Sequence, residues 1–152
     1  MKKGLTIVEM MVSFGILVVV LAGIFLILRL ANWSWDIDSG KLDLQQYTRL
    51  VMENMIREIS QSNHDELTVN NGGARLDFLV PNVTNMISYY VSNGQLIRSH
   101  AGTNTPIASH IDSVTFTLLD AENLEIQIQA RKTVKNRVLT FPLTEKVRLR
   151  NE

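Results

Sequence analysis

The chain has 152 residues, with 15 basic and 15 acidic side chains and no Cys. Apolar residues make up 45% and charged residues 20% of it. These values exclude a disordered, collagen-like or disulfide-stapled chain, and a net charge suited to nucleic-acid binding.

The first element is a long apolar segment. Of 69 apolar residues in the chain, 19 lie between Leu5 and Leu28, and nothing from Met10 to Leu28 is charged. As a helix, Leu5–Leu28 measures roughly 36 Å, enough to cross a hydrocarbon core of about 30 Å. Lys2 and Lys3 precede it and Arg29 follows. The paired lysines favour a cytoplasmic amino terminus and an extracytoplasmic remainder. Trp33 and Trp35 follow at a spacing suited to the membrane interface.

A cleaved secretory signal and a plain signal anchor are two readings of this segment. It is longer than a secretory apolar core and lacks an Ala-x-Ala cleavage site. A plain anchor has no use for Glu9, since a carboxylate within an apolar span costs about 2.5–3.5 kcal/mol. Either Glu9 reaches water at the cytoplasmic interface, or it meets a positive partner inside the membrane. A free amino terminus on a neighbouring copy, cut before Leu5, would be such a partner.

The run Lys3-Gly4-Leu5-Thr6-Ile7-Val8-Glu9 resembles the processing signal of type IV pilins and the pseudopilins of type II secretion. That family carries a short basic leader ending in Gly, then an apolar residue, a Thr, two apolar residues and a Glu. The resemblance implies that a prepilin peptidase cuts between Gly4 and Leu5 and methylates Leu5 as the mature amino terminus. It also implies that Glu9 takes part in assembly. The family most often has Phe where this chain has Leu5. Residues 1–4 are thus expected to form a leader, 5–28 a transmembrane and fibre-core helix, and 29–152 an extracytoplasmic head. Removing Lys2 and Lys3 leaves 13 basic against 15 acidic side chains.

Beyond Leu28 the helix is expected to continue. Leu44, Tyr47, Val51, Met55 and Ile59 form an apolar stripe at helical spacing. Gly40 marks an expected bend, and Ser60–Asn63 the helix end.

The head reads as antiparallel strands. Asn70-Asn71-Gly72-Gly73 is a turn between Leu67–Val69 and Ala74–Val80. Asn93-Gly94 closes a hairpin between Ile87–Ser92 and Gln95–Arg98. His100–Ser109 reads as an exposed loop. Apolar and polar residues alternate over Ser113–Leu118 and Leu124–Gln129, linked by Asp120–Asn123. A last strand, Arg137–Phe141, is expected to stop at Pro142. The fold class is therefore α+β, a long amino-terminal helix laid on antiparallel sheet. The run Ile87–Arg98 and the ending Glu145–Asn151 are similar to J-type minor pseudopilins and W-type minor pilins.

No catalytic set emerges, so an enzyme is not expected. His64, His100 and His110 lie in loop-like segments without ligand spacing, and no metal or cofactor is expected. Asp120, Glu122 and Glu125 suit a charged hairpin turn better than a calcium loop. Asn32-Trp33-Ser34 and Asn82-Val83-Thr84 match a glycosylation pattern too short to be specific. The carboxyl-terminal stretch is basic, with Arg131, Lys132, Lys135, Arg137, Lys146, Arg148 and Arg150 as one expected patch. Aromatic residues for base stacking are scarce there, so nucleic acid is an unlikely partner. The expected partners are the prepilin peptidase, other pilin or pseudopilin subunits, and the cytoplasmic membrane before assembly. A membrane-tethered module that captures DNA or a secreted substrate is the alternative.

Overall fold

The computed structural model describes residues 6–62, 64–81 and 83–149. One helix, α1, runs Ile7–Ile59, followed by a 3-10 turn at His64–Glu66. Eight strands follow: β1 Leu67–Asn70, β2 Arg75–Phe78, β3 Ile87–Ser92, β4 Gln95–His100, β5 Thr103–Ser109, β6 Ile111–Leu118, β7 Asn123–Val134 and β8 Arg137–Arg148. The chain divides into two compact units, Met1–Ser39 and Gly40–Glu152.

The first unit is helical and apolar. Its side chains from Thr6 to Trp35 are exposed, with Gly23 half-buried. Thr6 caps the helix: its hydroxyl accepts from the Glu9 amide at 3.3 Å, and Glu9 Oε2 accepts from the Thr6 amide at 2.9 Å. This reciprocal capping box satisfies two amides that the helix start leaves without intrahelical partners.

The second unit is α+β. Its strands form a five-stranded antiparallel meander, β1-β2-β3-β4-β5, and a three-stranded antiparallel sheet, β6-β7-β8. One apolar core joins Leu44, Val51, Met52, Met55 and Ile59 of α1 to both sheets. Leu76, Phe78, Ile87, Tyr89 and Leu96 come from the meander, and Val114, Phe116, Leu124, Ile126 and Ile128 from the other sheet. Phe78 and Tyr89 stack at 5.7 Å between ring centroids. The expected stripe holds except at Tyr47, which sits on the rim and accepts from the Ser109 amide at 3.1 Å. Thr48 takes the buried place, and its hydroxyl donates to the Leu44 carbonyl at 2.7 Å. That bond removes the penalty for burying a polar group.

Three expectations are corrected. Residues 100–109 are not a loop: Ala101 and Gly102, at φ 51° and 79°, turn β4 back into β5. This places His100 at the end of a strand. The last strand does not stop at Pro142, which lies opposite Gln129 within β8. β8 is an edge strand, where a missing amide is tolerated. Gly40 is helical and serves close packing: an added Cβ would stand 2.9 Å from Val134 Cγ2.

Candidate functional site

Two features stand out, one in each unit. The first is the apolar helix surface with its capped start. No part of its most hydrophobic 18-residue window is buried. Phe14, Val19, Phe25 and Ile27 are among the exposed side chains. So much continuous apolar surface has no role in water and marks a surface for lipid or for other apolar helices. Glu9 faces neither alone, because its Oε2 also accepts from the Thr6 hydroxyl at 3.1 Å. Sequence reasoning placed Glu9 at an interface or beside a foreign amine. It missed the local role, although Thr-x-x-Glu before an apolar run is the signature of a capping box. Gly4 and Leu5 lie outside the described residues, as do Asn82 of the glycosylation pattern and Arg150 of the basic stretch.

The second feature is a polar cluster in the head. Glu58, near the end of α1, projects onto the meander. Arg98 Nε donates to both its oxygens, at 3.1 and 3.0 Å, and Arg98 Nη2 donates to Oε1 at 2.5 Å. The Tyr89 hydroxyl donates to Oε2. Burial would raise the Glu58 pKa, but the bonds from Arg98 and Tyr89 bring it below the ordinary carboxylate value. Burial, reinforced by the Glu58 carboxylate, pushes the Tyr89 hydroxyl well above its usual range. His100, two residues beyond Arg98 on β4, has a buried Nε2 without a hydrogen-bond partner. These groups border a groove of about 410 Å³, which Asn54, Arg57 and Gln61 also line. The cluster ties the helix end to the sheet; every acceptor of Arg98 is internal, and no nucleophile stands beside a base.

No family model, curated protein or solved structure matches the chain. Its layout is nonetheless pilin-like: a long helix, apolar at its amino-terminal end, with its other part packed on antiparallel sheets.

The remaining candidate residues have local explanations. Asp120 accepts from the Glu122 amide at 2.8 Å and from Asn123 Nδ2 at 2.9 Å. Those bonds, first from Asn123 and then from Glu122, lower its pKa. Glu122 Oε2 accepts from Arg148 Nη2 at 3.0 Å. Asp120 and Glu122 thus shape the β6–β7 turn. On the meander, Asp77 accepts from Arg75 Nε at 2.8 Å and Asn70 Nδ2 at 2.6 Å. Burial opposes its charge, yet bonds from Ser88, Arg75 and Asn70 lower its pKa. The basic stretch is not one patch. Arg137 pairs with Val134 at the β7–β8 tip, whereas Arg148 pairs with Asn123 at the far end. Eleven strand residues separate them by roughly 36 Å.

Proposed function

We propose that the protein is a minor pilin or pseudopilin, a structural subunit rather than an enzyme. In this reading its precursor is held in the cytoplasmic membrane, head outside, and a prepilin peptidase cuts it between Gly4 and Leu5. The enzyme methylates Leu5, and the mature subunit joins other pilin or pseudopilin subunits in a type II secretion pseudopilus or a type IV pilus. The observation that carries the reading is α1 itself. Its amino-terminal portion exposes only apolar surface after a Gly-Leu-Thr-x-x-Glu start, and its other portion is built into a sheet-bearing head.

Helix length supports the membrane stage. Twenty residues from Glu9 to Arg29 rise about 30 Å, the thickness of a hydrocarbon core. Glu9 then sits at the inner interface rather than at the bilayer centre, where a carboxylate costs most. The capping box covers part of that charge until assembly supplies a neighbouring amine. Gly at the cut admits the backbone to a narrow protease site, having no Cβ to exclude.

Mass spectrometry of the chain recovered from cells with a prepilin peptidase tests this directly. The expected product begins at Leu5 and carries one methyl group. Gly4→Leu is expected to stay full-length, and a normally shortened Gly4→Leu product would overturn the reading. Glu9→Ala is expected to be cut but to enter fibres poorly.

A further inference from the structure

The densest positive charge in the chain lies at the tip of the β7–β8 hairpin, and the proposed assembly does not use it. Arg131, Lys132, Lys135 and Arg137 fall within seven residues, and no acidic residue occurs from Ile126 to Thr144. Lys135 and Asn136, at φ 45° and 63°, form a two-residue turn that joins the strands at the Val134–Arg137 pair. Left-handed φ at both turn positions gives a tight hairpin end rather than a loose loop. Arg131 is 55% exposed and reaches Asp112 at 3.9 Å. Lys132 borders a groove with Asp43. Cations therefore still exceed the acids at this end of the unit. Beside them Val138, an apolar residue, is 51% exposed.

The hairpin has a direction. Leu143 of β8 stands with Met52 and Ile56 of the helix, whereas Leu139 and Val134 stand at Gly40. β8 thus follows the helical segment to Gly40, the amino-terminal end of this unit, and the tip lies past Leu139. Only five residues of chain connect Gly40 to Trp35. Even fully extended they span at most about 18 Å. Trp33 and Trp35 are the residues with a preference for the headgroup layer. In any arrangement of the two units, the tether holds the tip's end of the head close to that layer.

We propose that the β7–β8 tip docks on anionic phospholipid headgroups, Lys132, Lys135 and Arg137 meeting phosphate while Val138 enters the interface. The contact orients the head on the membrane before assembly. It rests on the membrane reading above, and the experiment separates the two.

The full chain has no Cys, so Val138→Cys gives one attachment point for an environment-sensitive fluorophore. The labelled chain is reconstituted in vesicles of phosphatidylcholine alone and of equal parts phosphatidylcholine and phosphatidylglycerol. Each cation near an anionic surface biases contact by roughly fivefold. Quenching by a headgroup-borne quencher is therefore expected to be several-fold stronger in the mixed vesicles. It should fall to the phosphatidylcholine level at high salt and in a Lys132→Gln/Lys135→Gln/Arg137→Gln variant that retains its circular dichroism. A chain that floats with both vesicles but shows equal quenching in each overturns the docking inference alone. A chain that floats with neither overturns the membrane reading, and this inference with it.

Discussion

Removing the Glu58 carboxylate should loosen the end of α1 from the meander. Glu58→Ala deletes the acceptor for both Arg98 nitrogens and for the Tyr89 hydroxyl. Breaking a fully buried pair costs about 3–5 kcal/mol, because one charge is left without compensation. Here the Arg98 and Glu58 side chains are 29% and 25% exposed, so water can reach the abandoned groups. We expect a loss of about 2–3 kcal/mol at neutral pH, nearer the value of a charged hydrogen bond. The same change in an Arg98→Ala background should cost about 1–2 kcal/mol less, since the partner is already gone. Urea unfolding of the full chain in detergent micelles measures all four corners of this cycle. The pH dependence has a fixed sign. The folded-state pKa of Glu58 lies below its ordinary value of 4.5, so its stabilisation is present above that value and lost as pH falls through the depressed one. Wild type and Glu58→Ala should therefore converge in acid. A Glu58→Ala chain within about 0.5 kcal/mol of wild type at neutral pH, or a gap that persists in acid, would refute this account of the cluster.

Three further changes test other parts of the fold. Ala101 holds a left-handed φ of 51°, so Ala101→Gly should raise stability by about 1 kcal/mol in the same unfolding assay. Gly73 combines a φ of 98° with a position where a Cβ would stand 3.0 Å from the Phe116 carbonyl oxygen. Gly73→Ala should cost about 2 kcal/mol or more, because that backbone cannot step aside. Thr6→Ala removes the helix cap and should weaken the first turn by about 1 kcal/mol, seen as roughly fivefold faster amide exchange at residues 8–10. Unchanged exchange there would mean that the cap contributes nothing in the micelle.

Periodicity alone was enough for the α+β class, the long helix and most strands. The 3.6-residue stripe from Leu44 to Ile59 and the two-residue alternation of β6 and β7 each have a single well-packed reading, because one face must be buried. Asn93-Gly94 announced its turn, since both residues tolerate positive φ. Turns made without such residues were invisible. Ala101-Gly102 and Lys135-Asn136 adopt the same left-handed pair, which strand pairing on either side imposes. For that reason β5 was read as a loop and β8 was stopped at Pro142. The start of the helix was legible as a processing signal, yet its local chemistry was not drawn from the same letters: Thr6 and Glu9 cap one another three residues apart.

The sequence by itself determined the character of each segment, because hydropathy, helical spacing and capping are local properties. Glu9, the uncharged run to Leu28 and the stripe to Ile59 needed no partner elsewhere in the chain to be read. Tertiary structure decided what distant residues share. Glu58 meets Tyr89 and Arg98 across 31 and 40 positions. The basic stretch is pulled into two ends of one hairpin, since a strand separates residues by about 3.3 Å each whatever their charge. An even balance of charge over the whole chain foretold neither arrangement, because only folding sets which charges are neighbours.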